Sequence, residues 1–325
     1  MAEPSPPDPI DVSVLLVSFN TRDLTLRCLQ RLLPDLAAVS GEVILVDNAS
    51  HDGSPEAVRA AFPGVRVIDS PRNLGFGAAN NLAIRHARGR FLMLLNTDAL
   101  VEPGTTHGLL GHLEAHPEAA VAGPKLLNPD GSTQPSCYAY PTPGRAWLEN
   151  LGLIRLFKPG SRWGDTRRWP HDRTRAVAWV VGACLLVRRE VVEQVGGFDE
   201  RFFLYAEETD WQKRIRDAGW SIRFTPEARV THLGGASGAS DRPRVHRLFF
   251  ESIDLYQLKH HGVAGLVAFR LGMAAGSLAR LPLWLAAFAV RPGLRDRAMG
   301  KLRLHGWLFR RQLLTWPRAR GGEPA

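Results

Sequence analysis

The sequence predicts an open α/β sheet followed by a helical, membrane-associating C-terminal region. Three observations carry that reading. Short apolar strands alternate with helices from residue 12 to residue 95, the pattern of an open α/β sheet. Polar side chains, namely Asn20, Asp47, Asn48, Asn96 and Asp98, stand at or just past the strand ends, where ligands of such sheets gather. Finally, an apolar stretch at 263–290 runs directly into a basic tail.

Residues 12–18 form a nearly continuous apolar run with β-branched side chains, typical of a buried parallel strand. A helix is expected over 21–33, from the spacing of Leu24, Cys28, Leu29 and Leu32. Further strands are expected at 42–46, ending on Asp47-Asn48, and at 65–68. A helix at 77–87 precedes a strand at 90–95. The stretch 135–175 is rich in Pro, Gly, Arg and Trp without a clean period, so it reads as a long loop region. One strand is then expected over 176–187, a helix over 206–218, strands at 221–224 and 228–232, and a helix over 244–260. The domain division that follows is a disordered, proline-rich leader at 1–10, a catalytic domain at 11–260 and a helical, basic region at 261–325.

Composition narrows the function. A chain of 325 residues with 45% hydrophobic content can bury a sizeable core. Cys28, Cys137 and Cys184 are far apart and match no zinc or disulfide spacing, which points to a reducing compartment. The leader, with Glu3, Asp8 and several prolines, has neither the basic start nor the apolar segment of a secretory signal. The net charge of +9 is concentrated at the end: from Arg291 onward, nine basic residues stand against two acidic ones. Without base-stacking aromatics or a nucleic-acid motif, that tail suits an anionic membrane surface better than nucleic acid.

The site residues fall in two patches. Leu94-Leu95-Asn96-Thr97-Asp98 is an apolar run that delivers two oxygen-bearing side chains to a strand end, where they suit a divalent cation. His232, after another strand, can add an imidazole to the ion held by Asp98. Tyr205 to Trp211 opens a helix with Glu207, Glu208 and Asp210, any of which can serve as a general base. Two adjacent acids beside aromatic residues favour a raised carboxyl pKa, and the spacing leaves open which acid is the base. Asp47 can accept a hydrogen bond from a pyrimidine N3–H, or cap a turn. Asn73-Leu74-Gly75-Phe76-Gly77 lacks the third glycine of a dinucleotide fingerprint; its glycines suit a close approach to a ribose.

In this order the motifs resemble the family 2 glycosyltransferases, inverting enzymes of the GT-A fold, with bacterial rhamnosyltransferases as the most similar branch. The segments that carry the resemblance are Val17-Ser18-Phe19-Asn20, Val46-Asp47-Asn48-Ala49-Ser50, Asn73-Leu74-Gly75-Phe76, Leu95-Asn96-Thr97-Asp98, Gly182-Ala183-Cys184-Leu185 and Gly197-Phe198-Asp199-Glu200 through Glu207-Glu208-Thr209-Asp210. The resemblance covers roughly 11–260. It implies a nucleotide-diphospho-sugar transferase fold, a Rossmann-like open mixed sheet.

It also implies roles. Phe19, Asn20, Asp47, Asn48, Asn73, Gly75 and Asn96 would line the nucleotide, with Asp47 on the base. Asp98 and His232 would hold Mg2+ or Mn2+, Asn96 standing where the family's D-x-D motif has its first Asp. Glu208 falls where the family commonly has the Asp of its base motif, with Glu207 and Asp210 as alternatives. Gly182, Ala183 and Trp211 would face the sugar or acceptor. The implied reaction moves a sugar, rhamnose from dTDP-rhamnose in the first instance, to a lipid-linked or polysaccharide acceptor in cell-surface glycan synthesis. The alternatives are a UDP-hexose or galactofuranose donor, and an inactive membrane-bound scaffold of the same fold.

Residues 263–290 are long enough to span a bilayer. Arg270 and Arg280 interrupt them, at about 2.5–3.5 kcal/mol each at a helix centre, and Pro282 is expected to break the helix. An interfacial placement on the cytoplasmic face of the plasma membrane follows from this reading.

Overall fold

A computed structural model describes residues 10–161, 163–234 and 242–315, so nearly all of the expected leader and the last ten residues of the basic tail lie outside the described residues. In chain order the elements are β1 (Val12–Ser18), α1 (Arg22–Leu36), β2 (Gly41–Asp47), α2 (Ser54–Ala61), β3 (Arg66–Asp69) and α3 (Phe76–His86). Next come β4 (Phe91–Leu95), β5 (Ala99–Val101), α4 (Thr105–Glu114), β6 (Ala119–Leu127), β7 (Thr133–Gln134) and β8 (Cys137–Tyr138). They are followed by α5 (Pro143–Asn150), β9 (Arg175–Val177), β10 (Trp179–Val180), β11 (Cys184–Arg188) and α6 (Arg189–Val195). The chain closes with α7 (Glu207–Asp217), β12 (Ser221–His232), α8 (Arg242–Val290) and α9 (Arg295–Leu314).

Two compact units result: residues up to 139 with 170–249, and residues 140–169 with 250 onward. The first unit holds the sheet, whose order among the described residues is β3-β2-β1-β4-β11-β6-β12-β5, with β7 beside β6 and β9 beside β12. Strands β1 to β4 pair in parallel. The antiparallel β11 then joins β4 to β6, making the sheet mixed. Its centre is dry: every residue of β4 is buried, as are all of β1 but Val17. Burial of this kind contributes about 1.5–3 kcal/mol per large apolar side chain and forms the core of the unit.

Register positions the site. In the β1–β2 pairing Ser18 stands opposite Asp47, so both strands end at one edge. Asp47 also pairs with Asp69 of β3. Leu95 pairs with Cys184, which brings the residues after β4 against Gly182-Ala183. The short antiparallel β5–β12 pairing sets His232 opposite Ala99, one residue from Asp98. Asp35 of α1 caps the start of α4, accepting from the amides of Gly104 (2.6 Å), Thr105 (3.1 Å) and Thr106 (2.8 Å).

Several expectations change. The expected strand at 176–187 is three strands, because the chain turns at Gly182 between the small β8–β10 sheet and the main one. The two strands expected at 221–224 and 228–232 are one strand, β12, with a register shift between Thr225 and Arg229. The loop region at 135–175 contains α5 and two 3-10 turns, and its 140–169 part lies in the second unit. There the Trp147 indole donates to the Ala268 carbonyl (2.9 Å), and Asn150 lies against Met273. A non-helical Gly262 (φ 65°) interrupts α8.

Pro282 does not end α8, which continues to Val290. A single proline in a long apolar helix removes one backbone hydrogen bond and leaves the neighbouring turns to carry the helix on. Arg270 is buried in the second unit and grips Asp254 through two hydrogen bonds of 3.2 and 2.7 Å; Arg311 of α9 reaches the same carboxylate at 2.7 Å. By length and composition Arg244–Val290 can cross a membrane, with a window of mean hydropathy 1.5 of which only 17% is buried in the protein.

Candidate active site

The loops after β1, β2 and β3 form the first part of the site. Asp47 is buried; one carboxylate oxygen accepts from the Ser50 amide (2.9 Å), while Oδ1 has no partner. An unpartnered buried acceptor is costly unless a ligand or a water supplies the donor. Asn20 adopts a left-handed conformation (φ 53°) and staples the β1 and β2 loops: its amide donates to Ser50 Oγ (2.9 Å) and its side chain accepts from the His51 amide (2.8 Å).

Asn48 clamps the next loop. Its Nδ2 donates to Asn73 Oδ1 (2.9 Å) and its Oδ1 accepts from the Leu74 amide (2.8 Å). Gly75 is needed where it stands, because φ is +83° and an added Cβ would collide with the Phe203 carbonyl. Phe19 is half-buried at the same edge.

The second part is the Asn96–Asp98 turn. The Asn96 amide donates to the Ala183 carbonyl (2.9 Å), and Thr97 Oγ1 lies 3.2 Å from Thr21 Oγ1. The turn is therefore tied to the nucleotide-side loops and to Gly182-Ala183. Asp98 Oδ1 lies 3.4 Å from His232 Nε2, and the side-chain oxygen of Asn96 is buried without a partner. A carboxylate and an orphaned amide oxygen are hard donors and an imidazole nitrogen a borderline one, a set that can take a divalent cation. Among the described residues no cluster of three His, Cys, Asp or Glu side chains could hold a metal, so such an ion would complete its shell from ligand oxygens and water.

The third part is the start of α7. Tyr205 (φ 70°) and Ala206 (φ 63°) are consecutive left-handed residues, a conformation that costs about 1–3 kcal/mol at each non-glycine position. They swing Glu207 and Glu208 onto the helix N-terminus. Glu207 is buried, and burial, then the neighbouring Glu208 charge, push its carboxyl well above the usual range. Glu208 is half-buried and packs on Gly182, where an added Cβ would sit 3.4 Å from its side chain. Burial raises its pKa also, opposed by backbone N–H groups of Glu208, Gly182 and Thr209. Each carboxyl keeps one buried oxygen without a partner.

Two expected site residues are engaged elsewhere. Asp210 is fully buried and bound by Arg214 (3.0 Å), which also donates to the carbonyls of Val195 (2.8 Å) and Gly197 (2.6 Å). Its i,i+4 partner makes it a strut under α7 rather than a free base. Trp211 is fully buried, donates its indole N–H to the Gly196 carbonyl (2.9 Å) and stacks near Phe198, so it is core and cannot touch a sugar. Ala183 is buried and contributes its carbonyl to Asn96.

The struts of the site escape a reading of the sequence. Asn81 takes both the Phe198 amide (2.8 Å) and its carbonyl (2.9 Å), anchoring the Gly197-Phe198-Asp199-Glu200 block to α3. Gln212 does the same for Val180 (2.8 and 2.7 Å). Gln134 reaches His232 across β6–β7, and the Asp130-Gly131 turn is a legible signal for that hairpin.

Comparison with known proteins decides the family. Residues 13–196 match glycosyl transferase family 2. The chain belongs to that family. It is 34% identical over 234 residues to an N-acetylglucosaminyl-diphospho-decaprenol L-rhamnosyltransferase of Mycobacterium tuberculosis, covering 67% of this chain and 75% of that one. It is 31% identical over 237 residues to the O-antigen biosynthesis protein RfbC of Myxococcus xanthus, 70% of this chain but 18% of that protein. Among solved structures, the mannosyltransferase PcManGT of Pyrobaculum calidifontis, in complex with GDP-Man and Mn2+, superimposes with a TM-score of 0.58 at 19% identity, over 96% of this chain and 89% of that one. GalNAc-T7 with UDP, GalNAc and Mn2+ gives 0.51 at 16% identity, over 69% and 43%. The fold is GT-A, and the chain is a glycosyltransferase that uses a nucleotide-sugar. The rhamnosyltransferase likeness is borne out.

Proposed function

We propose that this glycosyltransferase moves rhamnose from dTDP-rhamnose to a hydroxyl of a lipid-linked glycan in cell-wall or polysaccharide synthesis. The observation that carries the reading is the 34% identity to a relative named as an L-rhamnosyltransferase acting on a diphospho-decaprenol-linked sugar. Asp47, with its unpartnered Oδ1, accepts from the N3–H of the nucleobase. Asn20, Asn48, Asn73 and Gly75 hold the loops against the nucleoside, with Phe19 at their edge. Asp98 and His232, with Asn96 beside them, would hold Mg2+ or Mn2+, which when bound supplies positive charge to the departing nucleoside diphosphate.

Glu208 is the base. It is the one of the three acids that is not fully buried, and it has no ion-pair partner, whereas Glu207 is buried and Asp210 is held by Arg214. Its carboxylate takes the acceptor hydroxyl proton as that oxygen attacks the anomeric carbon. The bond from that carbon to the diphosphate oxygen breaks on the opposite face, and configuration inverts. A screen of dTDP- and UDP-sugars with a polyprenyl-diphospho-sugar acceptor tests the reading. Transfer is expected from dTDP-rhamnose; transfer only from a UDP-hexose or a galactofuranose donor would replace it.

The second unit, together with the basic tail, is proposed to hold the enzyme on the cytoplasmic leaflet. Val263, Val267, Leu271 and Leu278 are exposed at helical spacing along α8, and Leu283 and Val290 extend the apolar surface. Nearby arginines add roughly 1 kcal/mol per charge at an anionic surface. The full chain is expected to float with vesicles containing phosphatidylglycerol at low salt and less with neutral vesicles. Indifference to the anionic vesicles would remove this placement.

A further inference from the structure

We propose that Gln134 is a positioning residue that fixes the tautomer of His232, keeping its proton on Nδ1 so that Nε2 presents a lone pair toward Asp98. The purpose of this arrangement rests on the cation reading given above; the arrangement itself rests on hydrogen-bond direction.

The Gln134 amide has one orientation that satisfies its neighbours. Its Nε2 faces two oxygens that can only accept, Asn128 Oδ1 (3.0 Å) and the His232 carbonyl (3.2 Å). Both of its hydrogens are thereby used. Its Oε1, an acceptor, is left facing His232 Nδ1 at 2.7 Å. The ring must donate there, since the other neutral tautomer would set two lone pairs at that distance.

The orientation of Asn128 is fixed in turn. Its Nδ2 donates to Ser132 Oγ (2.9 Å), and the Ser132 hydroxyl donates to Asp130 Oδ1 (2.6 Å). The series therefore runs in one direction, from the imidazole through Gln134, Asn128 and Ser132 to an exposed carboxylate. The turn at 128–132 is closed by the Asn128 amide on the Ser132 carbonyl (2.8 Å), which holds these side chains on one short hairpin.

On the far side of the ring, Nε2 stands 3.4 Å from Asp98 Oδ1, long for a hydrogen bond. With the proton on Nδ1, two lone pairs converge on the space between them. That suits a shared cation, and it is how outer hydrogen bonds commonly orient a metal-binding imidazole. A purely structural Gln134 would pin the hairpin to β12 and leave the tautomer without consequence.

The test uses the full chain labelled with 15N-histidine. At alkaline pH, long-range 1H–15N spectra of the metal-free protein should show His232 with a protonated Nδ1 and a bare Nε2. Mn2+ titration in the presence of dTDP should then show Gln134→Leu binding Mn2+ about 10–100-fold more weakly. In Gln134→Leu the same spectra should show the His232 proton no longer held on Nδ1, a change that a merely structural Gln134 would not produce. A His232 proton on Nε2 in the parent protein would overturn the proposal without any variant, as would a folded Gln134→Leu with unchanged Mn2+ affinity. Failure of the parent to bind Mn2+ would overturn the cation reading itself, and with it the purpose assigned to Gln134.

Discussion

Glu208→Gln is expected to lower turnover by about 10²–10⁴-fold while donor binding survives, because the amide keeps the shape and loses the proton acceptor. Burial raises this carboxyl above its ordinary range, so the parent rate should climb with pH through that raised value. The same shift acts on folding with the opposite sense. A carboxyl whose folded pKa is raised contributes stability below its unfolded pKa, and that contribution is lost as pH rises through the folded value. At neutral pH the Gln variant should therefore be at least as stable as the parent in denaturant titrations. An active Glu208→Gln beside an inactive Glu207→Gln would move the role one residue; a Glu208→Gln that is merely unfolded would show in the same titration.

Asp98→Ala is expected to abolish measurable transfer, a loss of about 10³-fold or more if a cation supplies several kcal/mol at the diphosphate. It should also weaken dTDP binding in Mg2+ or Mn2+ and leave metal-free binding nearly unchanged. His232→Ala should give the same pattern with a smaller loss, since one donor of the pair remains. Turnover and nucleotide affinity, each measured with and without the metal, check both variants. Near-normal turnover by Asp98→Ala would leave the cation site without its main ligand and end that assignment.

Much of the fold and the site is legible in the amino-acid sequence, and the reasons differ by region. The parallel strands β1, β2 and β4 announce themselves because burial on both faces demands unbroken apolar runs. Their polar terminators are readable for the same reason, as Asp47, Asn48, Asn96 and Asp98 end such runs. The segment from β5 to β6 is not legible, since a three-residue strand and an α4 without a local side-chain cap carry little signal; the cap, Asp35, lies about seventy residues earlier. Asp210 and Trp211 look like site residues because position on a helix says nothing about what lies beneath it. The Asp210–Arg214 pair is local, at i,i+4 spacing, but the carbonyls of Gly196 and Gly197, which accept from the Trp211 indole and the Arg214 guanidinium, come to α7 only through the tertiary fold. Arg270 misleads in the other direction. Counted as a charge exposed to lipid, it is instead closed on Asp254 sixteen residues earlier.

The paired left-handed residues Tyr205 and Ala206 bear on how this enzyme can be engineered. Neither is glycine, so the native chain retains conformational energy that a glycine would release, set against the entropy a glycine adds to the unfolded chain. Sequence changes selected only for thermal resistance are free to relax this turn, and a relaxed turn no longer dictates where the two acids point. The position thus marks a place where stability and activity pull on the same two backbone angles, and where a thermostable variant should be assayed for turnover before it is adopted.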